Sequence, residues 1–239
     1  MKVLAIETSN RPLSVAILED HHILAETTLT ARRKHAQDLL PEIERLMDLV
    51  GFTPDQIDRV VVASGPGSYT GLRIGATTAK TWAATMNTEL VGISSLANLA
   101  GNVTLEGALV APMFDARNQN VFAGLYRIHN GIPVPEVEDA HTAIADFAQL
   151  AAAYNEPIYA IGDAENFKTE LEAAWSQVVF GTPAVNLPRA GVLGLLGTQG
   201  TPITDVDNFV PRYLRLTQAE AEWREKHPEE ETGTYVEKI

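Results

Sequence analysis

The chain has 239 residues, 45% of them hydrophobic and 21% charged, with a formal net charge of −13. That length buries one large core or two modest ones, and the negative balance opposes wrapping a polyanion. The sequence holds no cysteine, which excludes a disulfide, a thiol nucleophile and a thiolate metal site. No apolar run is long enough to span a membrane, and MKVLAIETSNRP turns polar too soon for a signal peptide. A cytoplasmic protein is expected.

The first residues alternate apolar and polar. VLAI (3–6), SVAIL (14–18) and ILAETTL (23–29) read as three strands of an antiparallel meander, with turns at SNRP and EDHH. A short basic patch, Arg32-Arg33-Lys34-His35, reads as a solvated turn. From there Ala36, Leu39, Leu40, Ile43, Leu46, Met47 and Val50 recur at helical spacing, and Gly51 ends the run. Pro41 lies inside it and is expected to bend the helix or mark its first turn. TPDQIDR reads as a turn and a short helical start. The strand RVVVA (59–63) then runs into SGPGSYTGLRIG (64–75), a helix over 72–86 and a strand ELVGI (89–93).

The second half repeats this order. ALVAPMF (108–114) is a strand ending at Asp115, ARNQ a turn, NVFAGLYRI (120–128) a strand, HNG a turn and IPVPEVE a third strand. A helix over 142–154, the strand PIYAIG, a helix at FKTELEAAW, the strand QVVF and a helix over 190–196 follow. We read an internal duplication. The expected fold is α/β, with mixed sheets flanked by helices in two units, 1–103 and 104–216, and a charged tail over 217–239. That tail reads as a fraying helix and then disorder.

The loop with Gly65, Gly67, Gly71 and Arg73 invites a test as a phosphate site. Glycines between a strand and a helix can aim backbone N–H groups at an anion. A P-loop needs a lysine and a hydroxyl after its last glycine, and Leu72 and Arg73 stand there instead. The dinucleotide spacing G-x-G-x-x-G is exceeded by one residue. The other reading is a tight connector. In the following helix Gly75, Ala79 and Ala83 recur every fourth residue beside Leu72, Ala76 and Met86. Such a stripe admits a close neighbour, either inside the protein or across an interface.

The histidines are His21, His22, His35, His129, His141 and His227, and none forms H-E-x-x-H or H-x-x-x-H. There is no G-x-S-x-G elbow, and no base can be assigned to Ser68. Glu7 and Asp115 each stand where a strand meets a turn. They can either hold a metal on a nucleotide or cap their turns.

Together IETSN (6–10), HAQDLLPEIERLM (35–47), ASGPGSYTGLRIGATTAKTWA (63–83), DARNQNVFAGLY (115–126) and VPRYLR (210–215) resemble the TsaB family, also called YeaZ. Its members take part in making threonylcarbamoyladenosine in tRNA. The resemblance implies the duplicated fold of actin, sugar kinases and heat-shock ATPases. It also implies likeness to TsaD, the catalytic subunit of the pathway, which carries an H-x-x-x-H metal pair. In the corresponding stretch, GISSLANLAG (92–101), Ser95 and Leu99 stand at those two places, and neither can replace an imidazole on a transition metal. AGVLGLLGTQG (190–200) has glycines but reads as a helix with a glycine stop.

The resemblance therefore implies an enzyme's fold without catalytic, metal or cofactor residues. The expected function is a non-catalytic scaffold and activator that pairs with TsaD, with TsaE in a larger complex. tRNA would be reached only through that complex, and a homodimer is an option for the isolated chain. The pairing face implied is the two N-terminal helices, through His35, Leu39, Leu40, Ile43, Leu46 and Met47 of the first and Leu72, Gly75, Ala76, Ala79 and Ala83 of the second. The alternative is an active ATP-dependent kinase or carbamoyl transferase using Glu7, Asp115 and the glycine loop. A peptidase label attached to the family finds no support in a metal pair, a cysteine or a triad.

Overall fold

The computed structural model describes residues 1–31 and 34–215. The first half contributes strands β1 (Lys2–Glu7), β2 (Leu13–Glu19), β3 (His22–Leu29), β4 (Arg59–Gly65) and β5 (Glu89–Ser94), and helices α1 (His35–Val50), α2 (Tyr69–Met86) and α3 (Ser95–Ala100). The second contributes β6 (Leu109–Arg117), β7 (Asn120–His129), β8 (Ile132–Ala143), β9 (Ile158–Gly162) and β10 (Val178–Phe180), with α4 (Ile144–Ala152), α5 (Lys168–Ala174) and α6 (Ala190–Thr198). The sheets order as β3-β2-β1-β4-β5 and β10-β9-β6-β7-β8. These are the same order read from opposite ends, so the duplication is present strand for strand. In each half the first three strands pair antiparallel and the next two join in parallel. This is the topology of the actin, sugar-kinase and heat-shock ATPase group.

The apolar runs follow from burial on both faces. Leu4, Ile6, Val60 and Val62 point to one side of the first sheet, into a core with Leu39, Ile43, Leu46 and Ala79 of α1 and α2. Val3, Ala5, Val61 and Ala63 point to the other, where Ala190 and Leu193 of α6 cover them. Fully burying a leucine or isoleucine contributes about 1.5–3 kcal/mol, so this two-sided sheet is the main source of stability in the half. The second sheet is covered by α4 and α5 on one face. On its other face lie Leu96, Leu99 and Ala100 of α3. The helix closing each half thus lies on the sheet of the other.

Four local differences from the sequence reading have physical causes. Helix α2 begins at Tyr69 because Ser68 caps it, its Oγ accepting the Gly71 N–H at 3.4 Å. Strand β8 continues to Ala143 because Thr142 and Ala143 still pair with Val121 and Asn120, which delays α4 to Ile144. Helix α3 goes unforeseen in the sequence; Ser94 starts it by accepting the N–H groups of Leu96 and Ala97. Helix α1 is continuous through Pro41, whose side chain is exposed. Arg32, Arg33 and the tail from residue 216 lie outside the described residues; of the basic patch, Lys34 is exposed and His35 half-buried.

Candidate functional site

The β1–β2 turn, the β6–β7 turn and the glycine loop meet in the cleft between the halves. The glycines serve close backbone approach. A Cβ on Gly67 would stand 2.1 Å from the carbonyl oxygen of Ser9, and one on Gly71 would stand 2.1 Å from that of Thr8. Gly67 also has φ +156 and Gly65 φ +107, the latter a backbone angle that L side chains rarely adopt. The contact is fastened by hydrogen bonds. Ser68 donates its N–H to Ser9 O at 2.7 Å, and Thr8 Oγ1 donates to Gly71 O at 2.8 Å. The loop is thereby held against the chain's own β1–β2 turn, while Gly67, Ser68 and Tyr69 also line the cleft. Arg73 is exposed on α2, its guanidinium 5.4 Å from the Tyr69 ring centroid.

Glu7 is fully buried beneath this turn. Its carboxyl accepts the Ser9 N–H and the Asn98 side-chain amide, each at 2.7 Å. Burial raises its pKa above the ordinary carboxyl range, and the hydrogen bonds from Ser9 and Asn98 oppose that rise only in part. A group whose folded-state pKa is raised is most stabilising when protonated. Its contribution is therefore lost as pH climbs from the unfolded-state value towards the folded one. We expect Glu7→Gln to be more stable than the parent at neutral pH, the two melting curves converging towards pH 4. In a chain of this size each kcal/mol is worth about 2–4 °C of Tm. A variant that melts below the parent at neutral pH, with the deficit vanishing towards pH 4, would show that Glu7 is needed as a charge.

Asp115 caps its own turn. It accepts the Arg117 N–H at 2.7 Å and the Asn166 amide at 3.3 Å, and its own N–H donates to Asp163 at 3.0 Å. Burial is the main cause that raises the Asp163 pKa. Arg11, Lys34 and Arg117 share the same groove of about 640 Å³ with these carboxylates. Among the described residues no group of three or more His, Cys, Asp or Glu is arranged to hold a metal. Ser95 is buried, its Oγ accepting the Gly65 N–H at 3.2 Å, and Leu99 is wholly buried in the core beneath the second sheet. Both positions are thus engaged structurally.

The stripe on α2 faces inward. Gly75, Ala76, Ala79, Ala83 and Leu72 are buried against the first sheet, Ala79 with 0% exposure. A Cβ on Gly75 would lie 2.4 Å from Thr8 Oγ1. Leu39, Ile43, Leu46 and Met47 of α1 are buried on the same side of the sheet. As an outward face this set needs correction, because the small side chains admit the protein's own sheet and turn. Leu40 stays outside at 60% exposure, flanked by the exposed Ala36 and Glu44 on α1; on α2 Arg73, Thr77, Thr81 and Ala84 are exposed beside the stripe.

Two features had no signal in the sequence. Arg59 on β4 is buried, and its guanidinium reaches Glu89 at 2.6 Å and the carbonyls of Gly197 and Thr198 at the end of α6 at 2.7 and 3.0 Å. Asp139 and Tyr126 are buried together and hydrogen-bonded. Arg59 and Gly197 are 138 residues apart, and Tyr126 and Asp139 lie 13 apart on neighbouring strands.

A family model described as TsaD, tRNA N6-adenosine threonylcarbamoyltransferase, matches residues 22–223. The chain is 37% identical over 227 residues to the tRNA threonylcarbamoyladenosine biosynthesis protein TsaB of Bacillus subtilis, covering 94% of this chain and 99% of that protein. It is 34% identical over 135 residues to the protein of the same description from Escherichia coli, covering 55% and 58%. Among solved structures it superposes on YeaZ from Pseudomonas aeruginosa with a TM-score of 0.76 at 25% identity, covering 89% of this chain and 99% of that one.

Proposed function

The chain belongs to the TsaB family of threonylcarbamoyladenosine-biosynthesis proteins, and from that premise we propose that it is a non-catalytic subunit that pairs with TsaD and activates it. TsaE joins in a larger complex, and tRNA is engaged only through the assembly, since the net charge of −13 disfavours tight binding by this chain alone. One observation carries the non-catalytic reading. The glycine loop is packed against Thr8 and Ser9, and the Ser68 N–H is committed to Ser9 O rather than free for a phosphate. The competing reading, an active kinase or carbamoyl transferase, needs Glu7 at a metal, whereas Glu7 is buried and bonded to Ser9 and Asn98.

The pairing face we assign is the outer surface of α1 and α2 around Leu40, Glu44, Thr77 and Thr81, supported from beneath by the buried residues of both helices. A leucine as exposed as Leu40 is common singly, so its weight comes from lying on the helices the family resemblance implicates. The same face serves a homodimer when TsaD is absent.

Co-expression with TsaD followed by size-exclusion chromatography and a tRNA-modification assay tests the reading. The expected result is a co-eluting pair that modifies tRNA with TsaE and the threonylcarbamoyl donor, while the isolated chain with magnesium and ATP shows no hydrolysis above a buffer blank. Turnover by the isolated chain that disappears in Glu7→Ala or Asp115→Ala would overturn it.

A further inference from the structure

After α6 the chain doubles back and crosses both halves. Ile203 donates its N–H to Leu90 O on β5 at 2.8 Å, and Arg212 donates its N–H to Ser64 O on β4 at 2.6 Å. Between them Lys80 of α2 donates to the carbonyls of Asp207 and Phe209 at 2.7 and 3.1 Å. The Phe209 ring lies over Gly92, 3.2 Å from where that residue's Cβ would be, and Arg212 O lies 2.5 Å from the Cβ position of Gly65. All these anchors belong to the first half.

The second half is reached through side chains: Leu214 packs against the apolar cluster of the second sheet, and two arginines bond to it. Arg215 donates to Ala116 O at 3.0 Å. The Arg212 guanidinium stands 3.7 Å from Asp139 and 3.9 Å from Glu138 on β8. The Asp139 side chain is 1% exposed. Its carboxylate accepts the Tyr126 hydroxyl and the Ser94 hydroxyl, the latter at 2.5 Å. Ser94 is also the residue that starts α3, so one carboxylate ties together the end of β5, the second sheet and the returning chain. A buried carboxylate is costly without a cation, and among the described residues Arg212 is the cation paired with it.

We propose that residues 203–215 are a strap that sets the angle between the two halves, with Arg212 as its latch on Asp139 and Glu138. Undoing that latch loosens the strap and lets the cleft widen while each half stays folded. The geometry is that of a lever. Its backbone is fixed to the first half, and its hold on the second rests on side chains. Tyr213, Leu214 and Arg215 form one wall of the cleft, a space of about 510 Å³ that also meets Asn10, Ser68 and Asp115. The latch is weak enough to switch, because the Arg212 side chain is 47% exposed and water competes for its charge.

The cysteine-free sequence allows a direct test in the full chain. Spin labels on Asp55→Cys, just before β4, and Glu172→Cys of α5, both exposed positions outside the assigned pairing face, report the distance between halves. In the parent a single narrow distance is expected. In Arg212→Gln a second, longer population appears, and the backbone amide at position 212 exchanges with solvent at least about tenfold faster, equivalent to about 1.4 kcal/mol. Amides in the centres of β1 and β6 keep their protection, and Arg212→Lys gives an intermediate distribution. An unchanged distance distribution, even with faster exchange in the strap, overturns the proposal. So does loss of protection throughout both sheets in Arg212→Gln and Arg212→Lys alike, which would make Arg212 a support of the fold rather than of the angle.

Discussion

Gly71→Ala is expected to destabilise the protein by at least about 2 kcal/mol, a fall in Tm of roughly 4–8 °C for a chain of this size. Two effects oppose each other. Alanine is the better helix residue by about 0.5–1 kcal/mol, and Gly71 lies in the first turn of α2. Against that, the new methyl would sit 2.1 Å from Thr8 O, and this atom is backbone in a close-packed interior that cannot turn aside. The clash wins, because relieving it moves either α2 or the β1–β2 turn, and with them the hydrogen bonds Ser68 to Ser9 and Thr8 to Gly71. Thr77→Ala, on the exposed side of the same helix, should change stability by less than about 0.5 kcal/mol. Denaturant unfolding of the two variants is the check. A Gly71→Ala protein as stable as its parent would mean that the loop stands free of the turn, and the phosphate reading of the glycines would reopen.

Leu40→Asp should leave the isolated chain folded and weaken pairing with TsaD about a hundredfold, equivalent to about 2.8 kcal/mol. Leu40 is 60% exposed, so the charge is solvated in the monomer and becomes costly only when a partner covers it. Ala79→Trp should behave in the opposite way. Ala79 has 0% exposure, and the added ring has no space under the first sheet. Overpacking commonly costs about 1–3 kcal/mol for extra methylenes, and an indole adds far more volume, so this variant is expected to misfold before pairing can be assayed. Circular dichroism and melting, followed by titration with TsaD, separate the two. If Leu40→Asp pairs and supports modification like the parent, the face lies elsewhere on the surface.

The contrast between these two residues shows where the sequence was legible. The 3.6-residue period over 35–50 locates α1 to the residue, and Gly51 at φ 72 closes it as expected. The runs VLAI and VVVA read as strands because burial on both faces demands continuous apolar side chains. What the period could not give was direction at the level of the whole protein. A stripe of Gly75, Ala79 and Ala83 is required by any close neighbour, and the identity of that neighbour is decided by Thr8 and Val62, distant in the chain. The glycine loop was ambiguous for the same reason, since an anion and a backbone carbonyl demand the same missing side chain. Helix α3 escaped because SLANLA is short and almost wholly buried, so it has no polar face to set a period. The capping role of Asp115 was among the readings open from sequence. The burial of Glu7 was not, because it depends on Asn98 and on the loop that covers the turn.

The exchange of closing helices between the halves bears on how the protein is made. Val3, Ala5, Val61 and Ala63 of the first sheet find their cover in Ala190 and Leu193, which leave the ribosome last among the described helices. At roughly 5–20 residues per second, the interval between the end of α3 and the arrival of α6 is about 5–20 s. Throughout it the first sheet has one face built and the other bare. A fragment ending near residue 103 would carry that bare apolar face permanently, so the nascent first half is a natural client for a chaperone, and completion of the protein is a docking event rather than the folding of a second independent unit.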